Sequence, residues 1–90
     1  MNNDRRKTLE KLAKEIDELR GKIEDCKSEI ESARDEEQDY FDNMPESLQG
    51  GEKGSAAEEA IGEMDQAITE LENAVSSIES AMSSLESAQA

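Results

Sequence analysis

The sequence predicts an all-α fold, an antiparallel two-helix coiled-coil hairpin that dimerises into a four-helix bundle. Three observations lead there. Apolar residues recur in alternating steps of three and four through the first half of the chain. A second apolar heptad runs unbroken through the second half. Between the two, Pro45, Gly50, Gly51 and Gly54 interrupt both patterns.

The first helix is expected over residues 5–43. Leu9, Ile16, Ile23 and Ile30 fall at heptad position a, and Leu12, Leu19, Cys26 and Ala33 at position d. Continuing the phase brings in Glu37, Tyr40 and Met44. Glu10 precedes Lys14, and Glu18 precedes Lys22, by the four residues that favour helical ion pairing. Gly21 sits at an outer position, where it lowers helix propensity without opening the seam.

The second helix is expected over residues 55–89, in the repeats AIGEMDQ, AITELEN, AVSSIES and AMSSLES. Ile61, Ile68, Val75 and Met82 take position a, and Met64, Leu71, Ile78 and Leu85 take position d. Ser55 followed by Glu58 reads as a capping box that starts the helix. Serines crowd the outer face of its last turns, so that end is expected to fray. Residues 44–54 form the turn, because Pro45 disfavours a helical Met44 and removes an amide donor. Pro45–Gln49 suits one short helical turn of its own.

Charge fixes how the helices meet. In an antiparallel pair, e positions face e positions. One register pairs Arg34 with Asp65, Lys27 with Glu72 and Arg20 with Glu79. The same register layers Ile30 on Leu71, Ile23 on Ile78, Ile16 on Leu85, Ala33 on Ile68 and Cys26 on Val75, and it folds the chain back between Gly50 and Gly51. Charge, apolar register and turn chemistry agree, which is how a sequence specifies one structure. A parallel dimer through the first helix is the competing arrangement, with Glu15–Arg20 and Glu29–Arg34 favourable but Lys22–Lys27 repulsive.

A two-helix hairpin encloses no core and is marginal alone. Alanine fills every g position of the second helix: Ala60, Ala67, Ala74, Ala81 and Ala88. This stripe widens the apolar face and is expected to mediate self-association.

Composition narrows the function classes. Residues 1–34 hold nine bases and nine acids, whereas residues 35–90 hold fifteen acids and one base, Lys53, giving the whole net charge of −14. Such a surface repels nucleic acid and anionic membrane and suits a basic protein partner. No apolar run is long enough for a membrane span. One cysteine and no signal-like N-terminus suggest a cytoplasmic chain. Histidine is absent, so neither a Ser–His nor a Cys–His arrangement can form within a chain, and no catalytic residue is expected. The glycines lack the spacing of a phosphate-binding loop. No metal or cofactor is expected either.

Asp35, Glu36, Asp39, Asp42 and Glu46 form an acidic tip and are the candidate partner-binding residues, though a merely solvated helix end would look the same. Cys26 is expected to be buried in the seam. Glu37, at position a, is expected to reach water where the helices splay near the turn. Tyr40, Phe41 and Leu48 are expected to cap that end, or else to form a recognition patch on it.

The segment Tyr40-Phe41-Asp42-Asn43-Met44-Pro45-Glu46-Ser47-Leu48-Gln49-Gly50, with Lys53-Gly54 and Ala57-Glu58-Glu59, resembles the turn of small helical-hairpin proteins encoded by bacteriophages and in bacterial genomes. The resemblance covers roughly residues 25–75, and Asn-Met-Pro-Glu-x-Leu-Gln is its most specific part. It implies a phage or prophage origin and a host-cell cytoplasmic setting, and it carries no activity. The expectation is a non-enzymatic acidic coiled-coil assembly protein. Its rival is a DNA-mimic inhibitor of a basic nuclease or DNA-binding protein, since helical carboxylates spaced three or four residues apart lie ~5–6 Å from one another.

Overall fold

A computed structural model describes residues 1–90. All the regular structure is helical, with α1 over Asn3–Asp42, α2 over Glu46–Gln49 and α3 over Glu52–Ala88. Helices α1 and α3 pack antiparallel along a rod of 69 × 14 × 14 Å.

Both long helices begin earlier than the sequence suggests. The Asn2 side chain accepts from the Arg5 amide at 2.8 Å, so α1 opens on an asparagine cap. Helix α3 starts at Glu52 on Gly51, and Ser55 lies inside it, donating its amide to the Gly51 carbonyl at 2.9 Å. The expected Ser55 capping box is therefore not the start signal. Chain reversal at Gly50 and Gly51 leaves the following amides free to open a helix three residues sooner.

The reversal is a compact knot. Pro45 stands at the head of α2, and its carbonyl accepts from the Leu48 and Gln49 amides at 2.8 and 3.1 Å. The Gln49 side-chain amide donates to the Phe41 carbonyl at 3.0 Å, a second bond to an acceptor at the end of α1 that the Met44 amide also reaches. No residue of the chain has positive φ, glycines included. Gly50 and Gly51 are thus not selected by backbone conformation.

Gly54 is selected by contact. A Cβ there would stand 1.9 Å from the Gln49 carbonyl oxygen and 2.7 Å from its Cα. Gly54, Ala57 and Ile61 are the three buried residues of the whole protein, and all lie on α3 beside this knot. The expected splaying at the turn is overturned, because the rod is packed most tightly there. Glu37 is half-buried.

The seam of α1 is also rotated from its expected face. Position a is half-buried from Leu9 to Ile30, but its companions are the e residues Ala13, Arg20, Lys27, Arg34 and Phe41. Position d lies outside: Leu12 is 42% exposed, Leu19 53% and Tyr40 51%, with Cys26 and Ala33 exposed as well. The layers Ala33 on Ile68 and Cys26 on Val75 do not form, and Cys26 is not a buried thiol. Charge drives the rotation. Turning the e flank inward brings its three cations to the acids of α3, while their aliphatic stems cover apolar surface. Helix α3 meets this face with positions a and d half-buried from Met64 to Leu85, and with Ala60, Ala67 and Ala74 drawn in at g.

Candidate interaction surfaces

Three surfaces follow from this packing: an ion-pair flank, an acidic tip and an apolar flank.

All three expected ion pairs form. Arg34 Nε meets Asp65 Oδ1 at 2.9 Å, Lys27 Nζ meets Glu72 Oε1 at 3.6 Å, and Arg20 Nη1 meets Glu79 Oε1 at 3.5 Å. Each cation also has an acid on its own helix: Asp35 for Arg34, Glu31 for Lys27 and Asp17 for Arg20. The hydrogen bond that Arg34 donates to Asp65 raises the pKa of Arg34, and the charge of Asp17 raises that of Arg20. Pairs so open to water choose register more than they add stability. Reversing Arg20, Lys27 and Arg34 to glutamate is expected to lower the melting temperature, more at low salt than at high. Adding Asp65→Arg, Glu72→Lys and Glu79→Arg restores it. A melt series by circular dichroism, with no recovery in the sixfold variant, would show that another interaction sets the register.

At the tip, Asp35, Glu36, Asp39, Asp42 and Glu46 are all exposed. Two are tethered locally, Asp35 by Arg34 and Asp42 by the Gln38 side-chain amide at 2.9 Å. No three of the chain's acidic or thiol groups converge in metal-binding geometry. Tyr40 and Leu48 do not close the end of the rod: they are 51% and 49% exposed. With Asn43, Met44, Pro45 and Lys53 they line an open depression of about 410 Å³. Phe41 alone turns inward and is half-buried.

On the flank opposite the ion pairs, the d stripe of α1 runs beside the g stripe of α3. The register places Leu12 level with Ala88, Leu19 with Ala81, Cys26 with Ala74, Ala33 with Ala67 and Tyr40 with Ala60. The alanines are only partly available, since Ala60, Ala67 and Ala74 are half-buried by α1 and Ala81 and Ala88 are exposed. The alanine stripe alone was the sequence's candidate for self-association. Leu12 and Leu19, its large apolar neighbours on α1, carry no interface signal in the sequence because the heptad assigns them to the seam, and Tyr40 reads there as part of a cap or patch at the tip. No helix is long and apolar enough to cross a membrane. Comparison with protein-family models, curated proteins and solved structures finds no match to this chain.

Proposed function

We propose that this chain is a non-enzymatic interaction protein that self-associates through its apolar flank and offers its acidic tip to a basic protein surface. The observation that carries the reading is the exposure of Leu12, Leu19 and Tyr40 in line on one flank of a rod with only three buried residues. A line of exposed apolar side chains along one flank of a small scaffold marks an interaction site. Covering it also provides the burial that a lone hairpin lacks. The tip supplies the polar half of the reading, with eleven acids and one base in residues 35–65.

Sedimentation equilibrium over a range of concentrations tests the first half. A mass rising to twice the chain's is expected, with Leu19→Glu shifting the equilibrium back to monomer while helix content is kept. A concentration-independent monomer mass overturns it. For the second half, a basic partner captured from the host should be lost when Asp35, Glu36, Asp39 and Asp42 become Asn or Gln. Capture that persists in that variant removes the tip as the binding surface. Displacement of the partner by duplex DNA would turn the reading towards phosphate mimicry.

A further inference from the structure

Resting on the self-association just proposed, we infer that the second copy docks tip to tail, about a two-fold axis that crosses the rod at Cys26 and Ala74. Two orientations can bury the apolar flank face to face. With tips together, α1 lies over α3 of the partner. With tips apart, α1 lies over the partner's α1, and α3 over its α3.

Charge separates them. Residues 35–65 form the tip half of the rod and hold eleven acids and one base. Residues 4–14, at the opposite end of α1, hold five bases and two acids. Packed helices lie 8–10 Å apart, within the ~10 Å screening length of 0.1 M salt. Stacking tips would therefore set two incompletely screened acidic ends against each other. The tip-to-tail dimer instead puts each acidic end against the basic end of its partner.

The details fit at side-chain level. The hairpin extends from Asn3 to the α2–α3 junction near Gly50, so Cys26 stands at its midpoint and an axis there overlaps the rods completely. Leu19 then faces Ala33 of the partner subunit, large against small, and Leu12 faces the partner's Tyr40. The alanine stripe is centred on the same axis, with Ala67 over the partner's Ala81 and Ala60 over the partner's Ala88. Along the rim, Lys11 reaches the partner's Asp39, and Lys22 reaches the partner's Glu29. Two like-charge approaches oppose these, Glu15 to the partner's Glu36 and Asp25 to its own copy. Asp35 and Asp42, at outer positions of α1, lie away from the interface and stay exposed to a third protein, each held only by a neighbour on its own helix. A flank running the length of a 69 Å rod has room for the ~800 Å² per partner of a standard interface.

Cysteine placement tests the orientation. In a Cys26→Ala background, Asn3→Cys and Ser47→Cys chains are mixed and treated with a short bismaleimide. Tip-to-tail docking gives the mixed cross-link well above either like-with-like product. A predominant Ser47→Cys homodimer, or all three products in random proportion, overturns the orientation while leaving self-association intact. In the native chain, mild oxidation by copper–phenanthroline and dioxygen is expected to join the two Cys26 thiols, which sit on the axis. With tips together those thiols lie on the bundle diagonal, beyond the ~7 Å Cα separation a disulfide can span. Absence of that disulfide overturns the placement of the axis. Circular dichroism of each variant confirms folding, and sedimentation as a monomer would remove both this inference and the reading beneath it.

Discussion

Gly54→Ala is expected to be among the most damaging single-methyl changes this chain can suffer, costing about 3 kcal/mol and lowering the melting temperature by more than about 10 °C. The added Cβ would stand 1.9 Å from the Gln49 carbonyl oxygen, 2.4 Å from its carbonyl carbon and 2.7 Å from its Cα. All three atoms are backbone, so no flexible side chain can swing aside. Relief requires α2 to lift off α3, and that movement pulls Gln49 away from the Phe41 carbonyl. The end of α1 would lose one hydrogen bond as the turn loses its packing, the Phe41 carbonyl keeping only the Met44 amide. Gly62→Ala and Gly21→Ala are the controls. Neither Cβ would meet anything within 4 Å, and both positions are helical, so each should stabilise by about 0.5–1 kcal/mol. Thermal melts at one fixed chain concentration, as self-association demands, decide the matter. Equal effects at Gly54 and Gly62 would mean that the α2–α3 contact does not form in solution.

The contrast between those glycines marks where the sequence is legible and where it stops being so. Register could be read in full, because it rests on residues that must pair over a long separation. Arg34 finds Asp65, Lys27 finds Glu72 and Arg20 finds Glu79, since one fold-back satisfies all three. Rotation of α1 about its own axis could not be read from the apolar pattern alone. Positions d and e lie on opposite sides of a, and a heptad does not say which of them faces the partner helix when d is apolar and e is cationic. The deciding signal sits on the other helix. Asp65, Glu72 and Glu79 draw the cationic flank inward, and the alanines at g give α1 room to turn. That rotation leaves Leu12, Leu19 and Tyr40 on the outside, beside the alanine stripe of α3.

The knot at the turn left a fainter trace. Gly54 and Ala57 continue the a/d phase of α3 backwards from Ile61 and Met64, so the heptad runs through the residues that Ser55 was expected to cap. Small residues in a seam position signal close approach of backbone. Glycine in a turn invites a conformational reading instead, and here no residue has positive φ. The Ser55–Glu58 spacing is a capping box by composition only, because the amide that would need a cap already bonds to Gly51.

Because burial is concentrated beside this knot, stability should be graded along the rod. Ile61→Ala is expected to cost about 3 kcal/mol, since Ile61 is 8% exposed and packs at the level of Ala57, itself 3% exposed. The same truncation at Leu85 or Met82, half-buried near the tail, should cost about half as much, because the site is already open to water and less apolar surface is lost. Hydrogen exchange separates local from global loss. Amides around Ile61 are expected to be the slowest to exchange, and those at both tail ends the fastest, with serines lowering helix propensity in the last turns of α3. Ile61→Ala should then speed exchange along the whole of both helices, because opening the knot removes the short-range closure that holds the pair together. Leu85→Ala should speed it only towards the tail. Uniform protection along α1 and α3, with equal costs at Ile61 and Leu85, would place the main stabilising contact elsewhere. The apolar flank covered by a second copy would be its natural location, and a rise of that protection with chain concentration would identify it.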